Sequence, residues 1–430
     1  GAGNSSRLHK KLVRDEKVAV FAAGFNWKMK DPGLFLLLAG YMPFVPAEAV
    51  EKLLIEEVDK LAAEGPTEAE LDKAKNMLTA QHTFELTSLW QMGIGLGQAE
   101  VVEGDYHRFS TSMAAYDKVT IDDVKRVAGK YLTKERLTLA VLTPAAAGDK
   151  VEKAAATEIE ESKGETATWP TAERYLNLKG TEAAPVNLPP ITRKTLANGL
   201  RLLVVERREQ PVVYFDLKVP GGNLIEPKGK AGAAALLAEM LTHGTKTRSA
   251  DQIAQEVEGL GGSIQGYSDT DYLALSGQFL ARDFQNGLQL FADAALNPTF
   301  PEDEMGKAKQ PLVAAVRMTK DDPNAMAKEN LSYAVYGYDN PKGRPASEAT
   351  LTSVTTDDLK ALYKLAFAPK GSLLTVVGDV DGAKTAQALE AAFSSWSGGG
   401  AAPALPADPQ PLKGAKVRLI DKPDLTQSSI

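Results

Sequence analysis

The 430-residue chain contains no cysteine and four histidines, His9, His82, His107 and His243. The first absence excludes thiol nucleophiles, disulfides and cysteine-based zinc sites, and it fits a reducing and an oxidising compartment equally well. The second leaves little imidazole for metal chemistry, because no two histidines stand at ligand spacing. His82-Thr-Phe-Glu85 makes the first part of an H-x-x-E-H arrangement, but Leu86 holds the place of the second histidine, so the pair reads as a helix surface. No run of eighteen apolar residues occurs, so no segment has the pattern of a transmembrane helix. No basic block occurs either: 49 Lys and Arg against 56 Asp and Glu give a net charge of −7, which argues against nucleic acid as the main partner. The four tryptophans, Trp27, Trp90, Trp169 and Trp396, are scattered and read as packing residues.

What is present is the composition of a globular protein, 43% apolar and 24% charged, at a length that predicts two or three domains. A polar stretch from about Ala145 to Pro190, rich in Ala, Glu and Lys, lacks periodicity and reads as a connector. A second stretch, Ser397 to Pro411, is rich in Gly and Pro and reads as an extended linker. Its Gly398-Gly-Gly400 is not a phosphate cradle, because no Lys-Ser/Thr pair follows. The first residues carry neither an initiator Met nor a signal segment, and Val417 to Ile430 reads as a strand, a turn and the opening of another strand. Both ends predict a piece of a longer polypeptide.

The blocks on either side of the first connector resemble each other. Lys73-Ala-Lys75 recurs as Lys307-Ala-Lys309 at a shift of 234, each soon after a Pro-Thr pair, Pro66-Thr67 and Pro298-Thr299. Val119-Thr-Ile-Asp-Asp-Val-Lys125 recurs as Val354-Thr-Thr-Asp-Asp-Leu-Lys360 at a shift of 235. Thr120 and Thr355 are expected to be N-caps, and each copy leads into an apolar strand, Leu137–Leu142 and Leu373–Val377. Two matches in one order at nearly one shift predict two copies of one α+β unit. In the second copy, strands are expected at Thr195–Val205 with a turn at Asn198-Gly199, at Val212–Val219, and at Ser263–Ser268 and Tyr272–Phe279. Helices are expected near Gly232–Thr242, Ala250–Gly259, Arg282–Leu296 and Pro301–Thr319. That order predicts a mainly antiparallel sheet covered by helices.

The stretch Ala231 to Thr245 resembles the G-x-A-H-F-L-E-H-M-x-F-x-G-T helix of the insulinase/pitrilysin-like inverted-zincin peptidases, which include mitochondrial processing peptidase. Asn198-Gly-Leu200, Gly221-Gly-Asn223, Asp322-Pro323, Gly343-Arg-Pro345, Val376-Val-Gly-Asp-Val380 and the opening Gly1-Ala-Gly-Asn-Ser-Ser-Arg-Leu8 are also similar to family signatures. Aligned on Met240, Leu241, Gly244 and Thr245, the family's two histidine ligands fall on Ala235 and Glu239, and its general base falls on Ala238. The third ligand, a glutamate, falls on Ala315. The resemblance therefore implies the α+β fold of mitochondrial processing peptidase-like metallohydrolases, with no catalytic residue, metal ligand or cofactor in this chain. Zinc is expected in a parent or partner domain.

It also implies a layout: residues 1–144 the later part of one half-domain, 145–189 a connector, 190–395 a half-domain with a degenerate zinc helix, 396–412 a linker, and 413–430 the start of a further half-domain. The expected function is an internal portion of a two-repeat zinc metallopeptidase that contributes to a peptide-binding clamp. The alternative is a stand-alone inactive homologue serving as a binding or assembly subunit. Expected partners are peptides or unfolded segments and an active peptidase domain in cis or in trans; exported relatives suggest a periplasmic location. Arg14 stands near the family's substrate-steadying Arg, but Val20 replaces the accompanying Tyr, so no substrate role is assigned to it. His243 is read as interacting with its helix C-terminus, Asp321-Asp322 as a turn before a helix, and Ser5-Ser6 as having no nucleophile machinery.

Overall fold

Alternation in Val212–Pro220 (β5) sets the frame of the fold. Val213, Phe215, Leu217 and Val219 are buried, whereas Tyr214, Asp216 and Lys218 face the other way and are partly exposed. In the computed structural model, which describes residues 2–42, 44–143, 189–399, 414, 417, 419 and 420, β5 lies inside a six-stranded sheet. Its other strands are β3 (Ile191–Thr195), β4 (Arg201–Glu206), β6 (Ser263–Ser268), β7 (Tyr272–Leu280) and β8 (Leu373–Gly378), in the order β3-β4-β8-β5-β7-β6. Only β4 and β8 run parallel; the other neighbours are antiparallel. The expected strand at 195–205 is two strands, because the turn at Asn198-Gly199, with Gly199 at φ 91°, folds it back on itself.

Helices of the same block pack in the core against the buried face: α6 (Ala233–Met240), α7 (Ala250–Gly259), α8 (Phe284–Leu296), α9 (Glu302–Thr319), α12 (Thr356–Ala366) and α13 (Gly382–Phe393); α10 (Pro323–Tyr336), with no buried residue, and α11 (Glu348–Ser353) lie between α9 and α12 in the chain. Phe215 stacks on Phe291 at 5.3 Å and meets Phe279 edge-on at 6.2 Å, tying β5, β7 and α8 together.

The first block holds a π-helical segment, His9–Asp15, a hairpin of β1 (Ala19–Trp27) and β2 (Leu34–Tyr41), and five helices. These are α1 (Ala47–Glu64), α2 (Glu68–Glu85), α3 (Leu89–Glu103), α4 (Arg108–Tyr116) and α5 (Ile121–Tyr131). The matched segments fall on similar helices. Helices α2 and α9 have 18 residues each, and α5 and α12 have 11 each; Thr120 and Thr355 close matching capping boxes with Asp123 and Asp358.

One expectation fails. Leu137–Leu142 forms no strand; it is irregular, and its large apolar side chains are exposed, since no strand among the described residues pairs with it. It belongs to a unit, residues 134–188, separate from the unit of residues 1–133 and 189–430. The expected connector 145–189 and the start of a further half-domain at 413–430 lie, apart from a few single residues, outside the described residues.

Within the larger unit the two blocks meet along α2. The Asn76 amide donates to the Gly259 carbonyl at 3.0 Å, and Ala80 is buried beside Val212 and Leu280. At the chain start, the backbone N–H groups of Asn4 and Ser5 and the Ser5 hydroxyl donate to the Glu258 carboxylate, and Lys73 donates to Ser5 Oγ at 2.7 Å.

Candidate functional site

Helix α6 is short, begins after Gly232 at φ 94° and stops before Gly244 at φ 140°. Its N-terminus is held by Glu226, whose buried carboxyl accepts from the N–H groups of Gly232 (3.0 Å) and Ala234 (2.9 Å). Burial pushes that carboxyl up to about 7, outweighing the two N–H bonds and the charge of Arg344. Glu226 carries no motif and was not singled out from the sequence. Its only signal is an acid a few residues ahead of a helix start.

The positions aligned with the family's zinc machinery sit as follows. Ala235 and Glu239, four apart, share one half-buried stripe of α6; Ala238 is buried and faces β6. There Gly266 admits the helix, because a Cβ on it would lie 2.0 Å from the Ala238 carbonyl oxygen. Ala315 is exposed on α9. Two methyl groups and one carboxylate do not make a zinc donor set, so the residues present do not fit the metal. Among the described residues, no group of three or more His, Asp or Glu is placed to hold an ion. Strand β6 ends the sheet beside α6, and its outer edge has no strand neighbour among the described residues.

One turn beyond Glu239 lies a charged cluster. His243 Nε2 is 3.3 Å from Glu239 and Nδ1 is 3.3 Å from Glu304 in the first turn of α9. Glu304 also accepts from Lys307 at 2.8 Å and from Arg14 of the first block at 3.2 Å. Arg14 Nε approaches Asp251 at 2.7 Å, close enough for an ion pair but not aligned as a hydrogen bond. Burial lowers the His243 pKa, but the two carboxylates more than offset it, so the net shift is upward; Glu304 is held down to about 2 against its own burial. The reading of His243 is thus corrected: its ring lies between two side-chain carboxylates, one of them brought in by tertiary packing. Arg14 is a link between blocks.

Other readings resolve locally. His82 packs edge-on against Phe109 at 4.9 Å while Glu85 accepts from Gln81, so the two do not pair. Asp322 is the N-cap of α10, accepting from Asn324 and Ala325, and Pro323 occupies the first helical position. Ser5 is buried; its hydroxyl donates to the Glu258 carboxylate and accepts from Lys73 at 2.7 Å, so tertiary packing gives it charged partners that the sequence reading of Ser5-Ser6 did not include.

An open, mainly antiparallel sheet covered by helices, with a helix in the frame of the zinc peptidases and without their donors, defines a metallopeptidase-like α+β fold. The profile of "Insulinase (Peptidase family M16)" matches residues 201–348, and that of "Peptidase M16 inactive domain" matches residues 1–78 and 353–430. The chain belongs to the insulinase family of peptidases, family M16, and carries an inactive-domain portion of it.

A protein of Rickettsia bellii described as an uncharacterized zinc protease is 27% identical over 206 residues, covering 47% of this chain and 50% of its own. A zinc protease of Bacillus subtilis is 27% identical over 192 residues, covering 44% of this chain and 47% of its own. The chain thus spans about half the length of the curated relatives it matches. Among solved structures, an M16 inactive domain from Pseudomonas fluorescens is 27% identical with a TM-score of 0.46, over 52% of this chain and 54% of that one.

Proposed function

We propose that this chain is a non-catalytic, peptide-binding part of a zinc peptidase assembly, in which the zinc and the general base reside on another half-domain. The observation that carries this reading is the donor set on α6: Ala235, Ala238 and Glu239 retain the helix and its seat on β6 but cannot activate a water. The outer edge of β6 offers unpaired backbone groups to an extended peptide, as sheet edges do in strand-addition recognition. The zinc-bearing half is supplied in cis, within a longer polypeptide, or in trans by a partner subunit.

Metal analysis and a fluorogenic peptide assay on the purified chain test the first part. The expected result is no stoichiometric zinc and no chelator-sensitive turnover, and one bound zinc with turnover that a chelator abolishes would overturn it. Hydrogen exchange tests the second part: an added unfolded peptide is expected to protect the amides of residues 263–268. Protection elsewhere with none in β6 would reject that edge as the binding surface.

A further inference from the structure

The hairpin of β1 and β2 packs one face inward. Ala22, Leu37, Ala39 and Tyr41 point to α1 and the π-helical segment, where they meet Leu8, Leu12 and Val50. On the opposite face the register sets Phe21, Phe25 and Trp27 of β1 beside Gly40, Leu36 and Leu34 of β2, and Ala23 beside Leu38. Apart from the Trp27 indole N–H, no side chain on that face carries a charge or a hydrogen-bonding group. Phe21, Phe25, Trp27, Leu34 and Leu38 are 51%, 45%, 55%, 51% and 47% exposed. Trp27 is therefore not the internal packing residue that its sequence context suggests.

The six-stranded sheet shows what a face left to water looks like in this chain. On the side of β5, β7 and β6 away from the core, the register lines up Asp216 with Ser276 and Gln265, and Tyr214 with Gln278, next to Lys218. That face is polar, as one wetted side of an antiparallel sheet is expected to be. The open face of the hairpin has the composition of a buried one.

Three properties say what covers it. With about half of each large side chain in water, the face offers on the order of 600 Å² of apolar surface, so two copies together bury roughly 1,200 Å², the lower limit of a specific, stable interface. No charge lies on it, so two identical faces meet without the like-charge repulsion that a charged patch suffers on self-docking. The rows also complement each other, since β1 presents aromatic rings and β2 presents leucines. A two-fold axis parallel to the strands sets the aromatic row of each copy over the leucine row of the other, Phe25 over Leu36, at the ~10 Å spacing of packed sheets.

We propose that the open face of the β1–β2 hairpin is a homodimer interface, in which two copies of this chain pack hairpin on hairpin into a four-stranded sandwich. A single extended peptide is one strand wide and covers one row; a second hairpin covers both. The inference does not rest on the peptide-binding reading, which concerns the edge of β6.

Sedimentation velocity on the full chain tests it. The expected result is a concentration-dependent species of twice the mass of the chain. Phe25→Glu, at a position already about half in water, is expected to leave the circular dichroism unchanged and to weaken self-association by about 30-fold or more, and Leu36→Lys to do the same. Mixed in equal amounts, the two variants are expected to recover a dimer, because one of the two symmetric contacts then opposes a carboxylate and an ammonium while the other keeps its native pair. A chain that stays monomeric at its highest soluble concentration would overturn the proposal, as would a dimer that Phe25→Glu leaves intact or a mixture of variants that stays monomeric. A monomer in which an added apolar peptide protects the hairpin amides would also overturn it and give the face to that ligand.

Discussion

Gly266 of β6 and Ala238 of α6 touch backbone to backbone, since a Cβ on Gly266 would sit 2.0 Å from the Ala238 carbonyl oxygen. Neither partner is a flexible side-chain end, so relief requires the helix to lift from the strand. Gly266→Ala is expected to cost about 2–3 kcal/mol of stability, the upper range for overpacking, and to abolish peptide protection of residues 263–268. Thermal denaturation and hydrogen exchange read the two effects separately. A variant as stable as the parent would mean that the helix seat is not tight.

Glu226 predicts a pH dependence of the opposite kind from an ordinary salt-bridged acid. Its folded pKa of about 7 lies above its ordinary 4.5, so the folded state binds the proton more tightly than the unfolded one. Stability from this group is therefore complete below about pH 4.5 and is lost as pH rises through 7, by roughly 3 kcal/mol in all. Glu226→Gln keeps an acceptor for the Gly232 and Ala234 N–H groups without the charge. Urea unfolding is expected to show the variant more stable than the parent at pH 8 and close to it at pH 5; the reverse order would refute the assignment.

The paired caps offer an internal comparison. Thr120 and Thr355 accept from the N3 backbone N–H of their helices at the same distance, 3.2 Å, so Thr→Ala is expected to cost about 1 kcal/mol at either place. If the blocks unfold together, each variant shifts one shared transition. A second transition that moves only with Thr120→Ala would show the first block melting by itself.

Gly261 stands at φ 67°, and a Cβ there would lie 2.5 Å from the Asn76 carbonyl oxygen of α2. Gly261→Ala is expected to loosen the contact between blocks by adding backbone strain to a clash, at a cost of about 1–3 kcal/mol. Limited proteolysis would register it as faster cleavage in the first block, with the second block resistant. Unchanged cleavage would mean that α2 does not depend on this close approach.

Much of the second block was legible because its signals are local. Alternation marked β5, a pair of short apolar runs marked β6 and β7, Thr355 before two acids marked α12, and Asp322-Pro323 marked the start of α10. The strand at 137–142 shows where that logic stops. Its apolar alternation matches that of β8, but a strand exists only with a neighbour, and β8 has β4 and β5 on its two sides. The site divides in the same way. The residue types at 235, 238, 239 and 315 are read directly, whereas Glu226, Gly266 and Glu304 carry no pattern that marks them before the chain is folded.

The sequence by itself determined which residue types stand at 235, 238, 239 and 315 and that the sheet is mainly antiparallel, because composition, spacing and periodicity act within a few turns of chain. Tertiary structure alone decided that β8 enters parallel to β4 at the centre of the sheet, and that Arg14 meets Glu304 across 290 positions. It also decided that His243 lies between two carboxylates. Such contacts depend on which distant surfaces are buried together, which no local pattern of residues encodes.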